Sequence, residues 1–303
     1  MPVNSIPEAV QLLVEIERYL TTLQSSSLSE QSAAGPASDF NTLVGLLATD
    51  QWPAAVPPGL ICQDTESDKL DRATSILEIT VGQGLTNRKL LDFGCGEGHV
   101  SIKASEIASK VVGYDLVSSG NQSWESDSDK LLLTTDFSKV QANAPFDFVL
   151  LHDVLDHSDS PVDLLKQVAT VCGPLTRVYV RCHPLTSRHG GHLYNKLNKA
   201  WAGLIFTPNE LATIGVGSIA EPYKVDAPQK VLFPVNTYKQ WFAAAGFSVV
   251  SEDATVGDVE RFFSDTPAVR DRLISIFQPF TRNTEFPSWQ LSQQFNDFVI
   301  RLG

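Results

Sequence analysis

Short apolar runs alternate with stretches of helical spacing from Lys89 onward. The runs have the length and composition of buried strands. Between two of them, Ser160 before Pro161 predicts a helix start, and Gly173 before Pro174 predicts its end. This alternation predicts a parallel sheet with helices on both faces. The predicted strands in this part of the chain are residues 89–93, 110–115, 131–135, 146–151 and 176–182.

The same pattern continues to the C-terminus. A helix is predicted from Tyr238 to Ala245, and Gly246 is placed to end it. Two further apolar runs, residues 247–250 and 295–302, predict strands. The sheet is therefore predicted to continue to the C-terminus.

The N-terminal part has a different pattern. Apolar residues at helical spacing from Ile6 to Leu23 predict an amphipathic helix. Residues 25–38 are small and polar and predict a linker. A short helix over 40–48, a proline-rich loop over 52–59 and an amphipathic helix over 70–81 are predicted next. We therefore predict an N-terminal helical extension and linker, residues 1–66, and an α/β domain, residues 67–303, with an insertion at about 183–235.

Composition narrows the class of protein. The 303 residues are 43% hydrophobic and 19% charged, as in globular proteins, and no apolar stretch approaches the length of a membrane span. The net charge of -12 disfavours a general nucleic-acid or anionic-membrane binder. The N-terminus carries Glu8 and Glu15 where a signal peptide would be basic, so we expect a cytoplasmic protein. The cysteines lack C-x-x-C spacing and are expected to be free thiols: Cys62, Cys95, Cys172 and Cys182.

The first predicted strand runs into a glycine-rich turn. Asp92 is followed by glycines at alternate positions, Gly94, Gly96 and Gly98, and a helix is predicted after them. Missing Cβ atoms let a ligand lie against such a backbone. The spacing is G-x-G-x-G instead of the dinucleotide pattern, and Asp92 would repel a pyrophosphate. The turn therefore favours a ligand with a cationic amino-acid portion.

Two further strands end in acids. Asp115 closes the second strand, where its carboxylate is placed to accept hydrogen bonds from ribose hydroxyls. Asp136 closes the third strand and is followed by Phe137, so an acid is placed to accept from an adenine amino group beside an aromatic ring. These elements predict a nucleoside-containing ligand.

With these motifs, the stretch from about residue 70 to 182 resembles a class I S-adenosylmethionine-dependent methyltransferase. The segment His152-Asp153-Val154-Leu155-Asp156-His157 resembles the small-molecule branch of that family, which includes quinone-biosynthesis enzymes. The resemblance implies a Rossmann-like seven-stranded sheet whose last strand is antiparallel, with S-adenosyl-L-methionine as cofactor. It implies three groups of cofactor-binding residues: Asp92, Gly94, Gly96 and Gly98 for the methionine part, Asp115 for the ribose, and Asp136 with Phe137 for the adenine.

The acceptor is expected after the fifth strand, at the edge where ligands bind to open sheets. Between Arg177 and Asn209 the chain has five basic residues and no acid. Arg188 and Lys199 are therefore expected to hold a phosphate or carboxylate of an anionic acceptor; a solvated basic loop is the alternative. The expected substrate-binding residues are Arg188, His189, His192, Tyr194 and Lys199. A helix is predicted to carry Tyr194 and Asn198 on one face.

Methyl transfer to a hydroxyl or protonated amine requires removal of a proton. His183, at the end of the fifth strand, is the first candidate for the base, followed by His157 and His152. A zinc or iron site at His183, His189 and His192 lacks a familiar ligand spacing, so no metal is expected.

Three functions are compared on this basis. The first is an enzyme that methylates oxygen or nitrogen of an anionic small molecule or polymer-linked group. The second is a methyltransferase-like structural or assembly protein, with the N-terminal helix as its attachment device. In the enzyme, that helix is expected to pack over the cofactor cleft of its own domain, with a contact to a homodimer or another protein partner as the alternative. A nucleic-acid methyltransferase is disfavoured by the charge and by the absence of an N-P-P-Y or D-P-P-Y run after the fourth strand.

Overall fold

A computed structural model describes residues 37–57, 65–117, 128–184, 186–190, 193–216, 234–257, 266–277 and 291–303. The predicted N-terminal helix, residues 6–23, lies outside this part of the chain, as does most of the predicted linker. The helix predicted at residue 40 begins at Ala37, inside that linker.

The described residues form one seven-stranded sheet with the order β3-β2-β1-β4-β5-β7-β6. Strands β1 to β5 are parallel, whereas β7 is antiparallel to both β5 and β6. This order confirms the predicted Rossmann-like α/β class and the antiparallel last strand. The strands are β1 (Lys89–Phe93), β2 (Lys110–Tyr114), β3 (Leu131–Thr134), β4 (Phe146–His152), β5 (Cys172–Cys182), β6 (Phe247–Val256) and β7 (Gln293–Leu302).

Local sequence explains several helix boundaries. Thr65 accepts a hydrogen bond from the backbone of Asp68 at the start of α2, and Thr207 with Glu210 forms a capping box at α7. In the described part of the chain, none of the helices is both long and apolar enough to span a membrane. The helices are α1 (Ala37–Leu47), α2 (Glu66–Ile79), α3 (His99–Ser105), α4 (Phe137–Asn143), α5 (Pro161–Ala169), α6 (Ala202–Ile205), α7 (Pro208–Thr213), α8 (Pro234–Ala244) and α9 (Pro267–Phe277).

Strand β5 begins earlier than predicted. Helix α5 ends at Ala169, and the Gly173-Pro174 pair, predicted to end that helix, lies inside β5. A register shift opposite Phe146 and Phe148 accommodates the pair as a bulge. The hydroxyl of Thr176 bonds backbone groups at the bulge: it donates to the carbonyl of Phe146 at 2.5 Å and accepts from the amide of Gly173 at 2.7 Å.

The helix predicted to carry Tyr194 and Asn198 is wrong. A single 3-10 turn covers Leu193–Asn195, and the chain is not helical again until α6. Two features explain why no helix forms here. The Asn198 amide is bonded to both backbone groups of Val56, at 3.0 and 2.9 Å, and Trp201 has a left-handed backbone with a φ of 58°.

The two faces of the sheet carry separate helical layers. One face packs Val140, Leu165 and Phe242 from α4, α5 and α8 against the strands. The other face is covered by α2 and α3 through residues such as Leu77 and Ala104. Each layer buries one apolar stripe of its helices against the sheet. Because β1, β2, β4 and β5 are parallel, their carboxyl ends lie together at one edge.

A third hydrophobic cluster lies off the sheet and joins distant parts of the sequence. It contains Leu43 of α1, Trp52, Phe206 and Leu273 of α9, all nearly fully buried. The Trp52 ring stacks on Phe206 with centroids 5.7 Å apart, and its Nε1 donates to the carbonyl of Ala200 at 2.9 Å. The end of the predicted extension thus packs against the predicted insertion.

This packing predicts that Trp52→Ala strongly destabilises the fold. Removing a buried tryptophan that also donates a hydrogen bond should lower the free energy of unfolding by about 3 to 5 kcal/mol. Leu175→Ala is the control, because Leu175 is 83% exposed and should change stability by no more than about 0.5 kcal/mol. Equal urea midpoints for the two variants would contradict the role of the cluster.

Candidate active site

The glycine turn is held between β1 and β2. Gly94, Gly96 and Gly98 have φ values of 79°, 55° and 85°, a region that glycine enters without strain. The amides of Gly94 and Cys95 donate to the carbonyl of Tyr114 at 2.7 and 3.1 Å. The turn is therefore fastened to the end of β2 before any ligand binds.

Two of these glycines have different surroundings. A Cβ on Gly94 would lie 2.5 Å from Cγ2 of Val154, so the close approach of that side chain requires a glycine. A Cβ on Gly96 would meet no atom within 4 Å. The backbone at Gly96 therefore faces open space, which is the property required of a ligand cradle.

Asp115 connects the turn to the following loop. Its Oδ2 accepts from the amide of Gly96 at 2.9 Å, and its Oδ1 accepts from the amide of Leu116 at 2.7 Å. Each carboxylate oxygen can accept a second bond, so ribose hydroxyls can still be bound here.

An apolar surface lies directly beside Asp115, and the sequence analysis missed it. Leu116 and Val117 are 80% and 70% exposed, although both are large and apolar. The available signal was the continuation of apolar residues beyond the acid that ends β2. Exposed apolar surface next to a polar cradle is typical of a ligand site.

Asp92 lies beneath the turn and is almost fully buried. It accepts a hydrogen bond from Ser101 Oγ of α3 at 2.7 Å. Burial raises the pKa of Asp92 to about 6, against the opposing effects of Ser101 and of His152. A buried carboxylate at this place favours a cation above it.

The structure places Asp136 and Phe137 at the start of α4. Asp136 is exposed and is the N-cap of that helix, where it accepts from the amide and hydroxyl of Ser138 at 2.9 and 2.7 Å. These bonds hold the pKa of Asp136 below its usual value. The Phe137 ring packs edge-on against Tyr114 and Phe93 at centroid distances of 5.3 and 6.4 Å.

Asp153 joins two of the predicted catalytic histidines. Its Oδ1 lies 2.6 Å from Nδ1 of His183, and its Oδ2 lies 3.2 Å from Nδ1 of His152. Its φ of 55° is unusual for a residue other than glycine and sets the carboxylate between the ends of β4 and β5. Burial alone would raise the pKa of Asp153, but the two histidines hold it well below its usual range.

Further groups surround His183. Its ring lies 4.3 Å from the ring of Phe295 and 4.5 Å from that of His189, measured between centroids. One ligand-type atom each of Asp153, Asp156 and His183 lies within 4.8 Å of the others. The contacts of Asp153 with two imidazole nitrogens suit the orientation of a base. His157, the second predicted base, is paired with Asp156 at 3.6 Å.

The two predicted substrate cations contact the protein backbone. Nη2 of Arg188 donates to the carbonyl of Ala54 at 2.7 Å, and Nζ of Lys199 donates to the carbonyls of Thr49 and Trp52 at 3.0 Å. Burial lowers the pKa of Arg188. These residues thus hold the segment 49–54 against the loop that follows β5.

The other predicted substrate residues are placed separately. Tyr194 lies in the 3-10 turn and is half-buried. His189 packs beside His183 and Phe295, close to the candidate base. His192 lies outside the described residues. Of the predicted acceptor residues, His189 is therefore the one that the described structure brings to the histidine cluster.

Comparisons with known proteins agree with this geometry. A family model described as a methyltransferase domain matches residues 66–252, which is more than half of the chain. A search of curated protein sequences gave no significant match. The chain belongs to the methyltransferase domain family, and its seven-stranded sheet is that of a class I methyltransferase. This confirms the predicted family and enzyme class, and S-adenosyl-L-methionine is the cofactor that goes with them.

Solved structures of methyltransferases align with most of the chain at low sequence identity. A SAM-dependent methyltransferase from Archaeoglobus fulgidus is 14% identical, with a TM-score of 0.41 over 77% of this chain and 94% of that one. The 1,6-didemethyltoxoflavin-N1-methyltransferase from Burkholderia thailandensis is 15% identical, with a TM-score of 0.39 over 90% and 93%. The plantazolicin methyltransferase BamL is 14% identical, with a TM-score of 0.43 over 78% and 87%.

The buried carboxyl group of Asp92 predicts a pH dependence of stability. A folded-state pKa raised to about 6 stabilises the fold below the unfolded value of 3.8, and this contribution is lost as the pH rises through 6. Between pH 4 and pH 7.5, Asp92→Asn should therefore gain about 2.4 kcal/mol of unfolding free energy relative to the wild type. Asp163→Asn, at an exposed position, is the control. Parallel urea-derived stability curves for wild type and Asp92→Asn would contradict the raised pKa.

Proposed function

We propose that this protein transfers a methyl group from S-adenosyl-L-methionine to oxygen or nitrogen of a small-molecule acceptor. The observation that carries the proposal is the 2.6 Å contact between His183 and Asp153. It supplies an oriented base at the same sheet edge as the open glycine turn. We also propose that the protein acts in the cytoplasm and that it consists of an extension, residues 1–66, and a methyltransferase domain, residues 67–303.

The residues at the turn fit each part of this cofactor. The open backbone at Gly96 has room for the methionine portion, and the buried carboxylate of Asp92 favours its ammonium group. Asp115 retains acceptor capacity for the ribose hydroxyls. The exposed apolar surface of Leu116 and Val117 suits the adenine ring. When bound, the cofactor supplies a methyl group activated by a sulfonium.

The histidine cluster can remove the acceptor's proton. With a proton on Nδ1, His183 donates to Asp153 and presents Nε2 as the basic nitrogen. Nε2 would take the proton of the acceptor hydroxyl or amine, while the bound cofactor would give up its methyl group to the acceptor atom by breaking the methyl–sulfur bond and would leave as the neutral thioether. The negative charge of Asp153 stabilises the imidazolium that results. His152 contacts the other oxygen of Asp153 and is the second candidate base.

The chemical class of the acceptor is a more specific part of the proposal. Arg188 and Lys199, on which the anionic preference was based, both bind carbonyl oxygens of the protein. An acceptor held by the histidine cluster itself is therefore favoured over one held by a salt bridge to these cations.

Two measurements test the function. Equilibrium dialysis should show saturable binding of labelled S-adenosyl-L-methionine to the purified protein. Incubation of that complex with a metabolite extract should then give a labelled small-molecule product that can be identified by mass spectrometry. Lack of binding would favour the alternative of a structural or assembly protein with this fold.

Gly96→Ala tests the cofactor site. The added methyl group projects into the open space above the turn, so the affinity for S-adenosylhomocysteine in calorimetry should fall at least about tenfold. Gly246→Ala is a matched control. Gly246 also has a positive φ, 84°, and open space around it, but it precedes β6 at the opposite edge of the sheet. Equal loss of affinity in both variants would show that backbone strain, not the cradle, is responsible.

His183→Ala and Asp153→Asn test the base. Loss of a positioned base should lower kcat by about 100- to 10,000-fold, while S-adenosylhomocysteine affinity stays close to that of the wild type. Asp153→Asn tolerates the left-handed backbone but loses the charge that orients His183, so kcat should fall here too. Added imidazole should partly restore the turnover of His183→Ala. An unchanged kcat in both variants would leave His152 as the candidate.

A further inference from the structure

Three side chains of metal-binding type lie together after the carboxyl ends of β4 and β5. Asp153 and Asp156 follow β4, and His183 follows β5. One ligand-type atom from each of them lies within 4.8 Å of the others. Ligands that are each about 2.1 Å from one ion lie at most about 4 Å apart, so shifts of less than about 1 Å would bring all three atoms to one ion.

Two of these groups are carboxylates that are largely shielded from water. The side chains of Asp153 and Asp156 are 14% and 11% exposed, and both oxygens of Asp156 are buried. Burying a carboxylate costs free energy unless a positive charge lies nearby, and two carboxylates in one place also repel each other. Both contact imidazoles, which are charged only when both ring nitrogens carry a proton. A divalent cation would compensate both negative charges at once.

The surroundings of the three groups are also negative. Burial raises the pKa of the Cys182 thiol, and the charges of Asp156 and Asp153 add to this effect. Arg181, a cation on β5, is paired with Asp297 at 2.8 Å and so has its charge compensated there. The electrostatic field at the end of β5 therefore favours the entry of a cation.

The donor atoms favour a transition metal over Mg²⁺ or Ca²⁺. Carboxylate oxygens combined with an imidazole nitrogen bind Zn²⁺ and Fe²⁺, whereas Mg²⁺ and Ca²⁺ prefer oxygen ligands alone. Two further imidazoles adjoin the carboxylates, since Nδ1 of His152 lies 3.2 Å from Asp153 and Nε2 of His157 lies 3.6 Å from Asp156. Partners of this kind hold ligating carboxylates in orientation at metal sites.

We propose that Asp153, Asp156 and His183 bind one divalent transition-metal ion, such as Zn²⁺, and that the bound ion switches off the candidate base. Nδ1 of His183 faces Asp153, so an ion held there takes the place of the Nδ1 proton. The neutral imidazole then carries its proton on Nε2, which can no longer accept one from the methyl acceptor. The switch rests on the proposed function, whereas metal binding does not. Of the three histidines whose spacing disfavoured a metal in the sequence, this set contains only His183.

Calorimetry with Zn²⁺ alone tests the site, without cofactor or acceptor. The metal-free wild type should bind Zn²⁺ at least about 100-fold more tightly than Mg²⁺. Asp156→Asn keeps the shape of the side chain but removes its charge, so the affinity for Zn²⁺ should fall at least about tenfold. His99→Gln is the matched control, because His99 also lies between two carboxylates, 3.1 Å from Glu66 and 3.6 Å from Glu97, but at the start of α3.

Thermal unfolding distinguishes loss of the site from loss of the fold. An ion that binds only the folded state raises the Tm, so excess Zn²⁺ should stabilise the wild type and His99→Gln. Asp156→Asn and His183→Gln should unfold cooperatively but show no such increase. The visible absorption of bound Co²⁺ gives a second readout, which should appear in the wild type and be lost in His183→Gln.

Formation of labelled product from the metabolite extract tests the switch. With free Zn²⁺ buffered at about ten times its dissociation constant, the wild type should form about tenfold less product, and a chelator should restore it. Asp156→Asn, compared with itself, should form the same amount with and without this Zn²⁺. Equal inhibition of Asp156→Asn and the wild type would overturn the switch.

The outcomes separate the metal site from the proposed function. Wild-type affinity for Zn²⁺ in both Asp156→Asn and His183→Gln, or an equal loss in His99→Gln, would overturn the site. If the wild type fails to bind S-adenosylhomocysteine, the proposed function fails and the switch fails with it. The titration with Zn²⁺ still decides in that case whether the metal site exists.

Discussion

The bridge that the Asp153 carboxylate makes between His152 and His183 determines how the site is arranged. The two imidazoles belong to the ends of neighbouring parallel strands, and a single side chain sets their orientation. The left-handed backbone at Asp153 is a local cost that the surrounding sheet stabilises. The glycine turn adjoins this bridge through Val154, the next residue, which packs over Gly94. Cofactor cradle and base are therefore parts of one continuous structure, in which a shift of Asp153 would disturb both.

The loop after β5 separates two kinds of polar interaction. Arg188 and Lys199 donate hydrogen bonds to carbonyls of the segment 49–54 and so fasten it to the chain that follows β5. The hydroxyls of Thr186 and Ser187, directly before Arg188, are buried without partners. The same short segment therefore combines contacts that fasten it to residues 49–54 with buried hydroxyls that have no hydrogen-bond partner among the described residues.

The sequence was sufficient for the sheet and the glycine turn, because strand periodicity, Gly94 and the acid at Asp115 are local signals. It failed where long-range contacts decide the local structure. The helix predicted around Tyr194 does not form, since the Asn198 side chain is bonded to Val56 more than 100 positions away. The basic composition of the same segment predicts an anionic acceptor, which stays a prediction; the contacts of Arg188 and Lys199 with backbone carbonyls could not be read from the sequence. Asp153 lies in the sequence between His152 and His157, which were both predicted as candidate bases. Its bridging role could not be predicted, because it depends on a left-handed backbone conformation that residue propensities do not indicate.

The contacts that fasten the segment 49–56 also bear on how this protein can change over time. Arg188, Lys199 and Asn198 reach main-chain atoms of that segment, and a carbonyl or amide is the same whichever side chain is attached. Substitutions at Thr49, Ala54 or Val56 should therefore accumulate with little effect on the attachment, whereas those at the three donors should be eliminated. Related sequences are therefore expected to vary at Thr49, Ala54 and Val56 and to keep Arg188, Asn198 and Lys199.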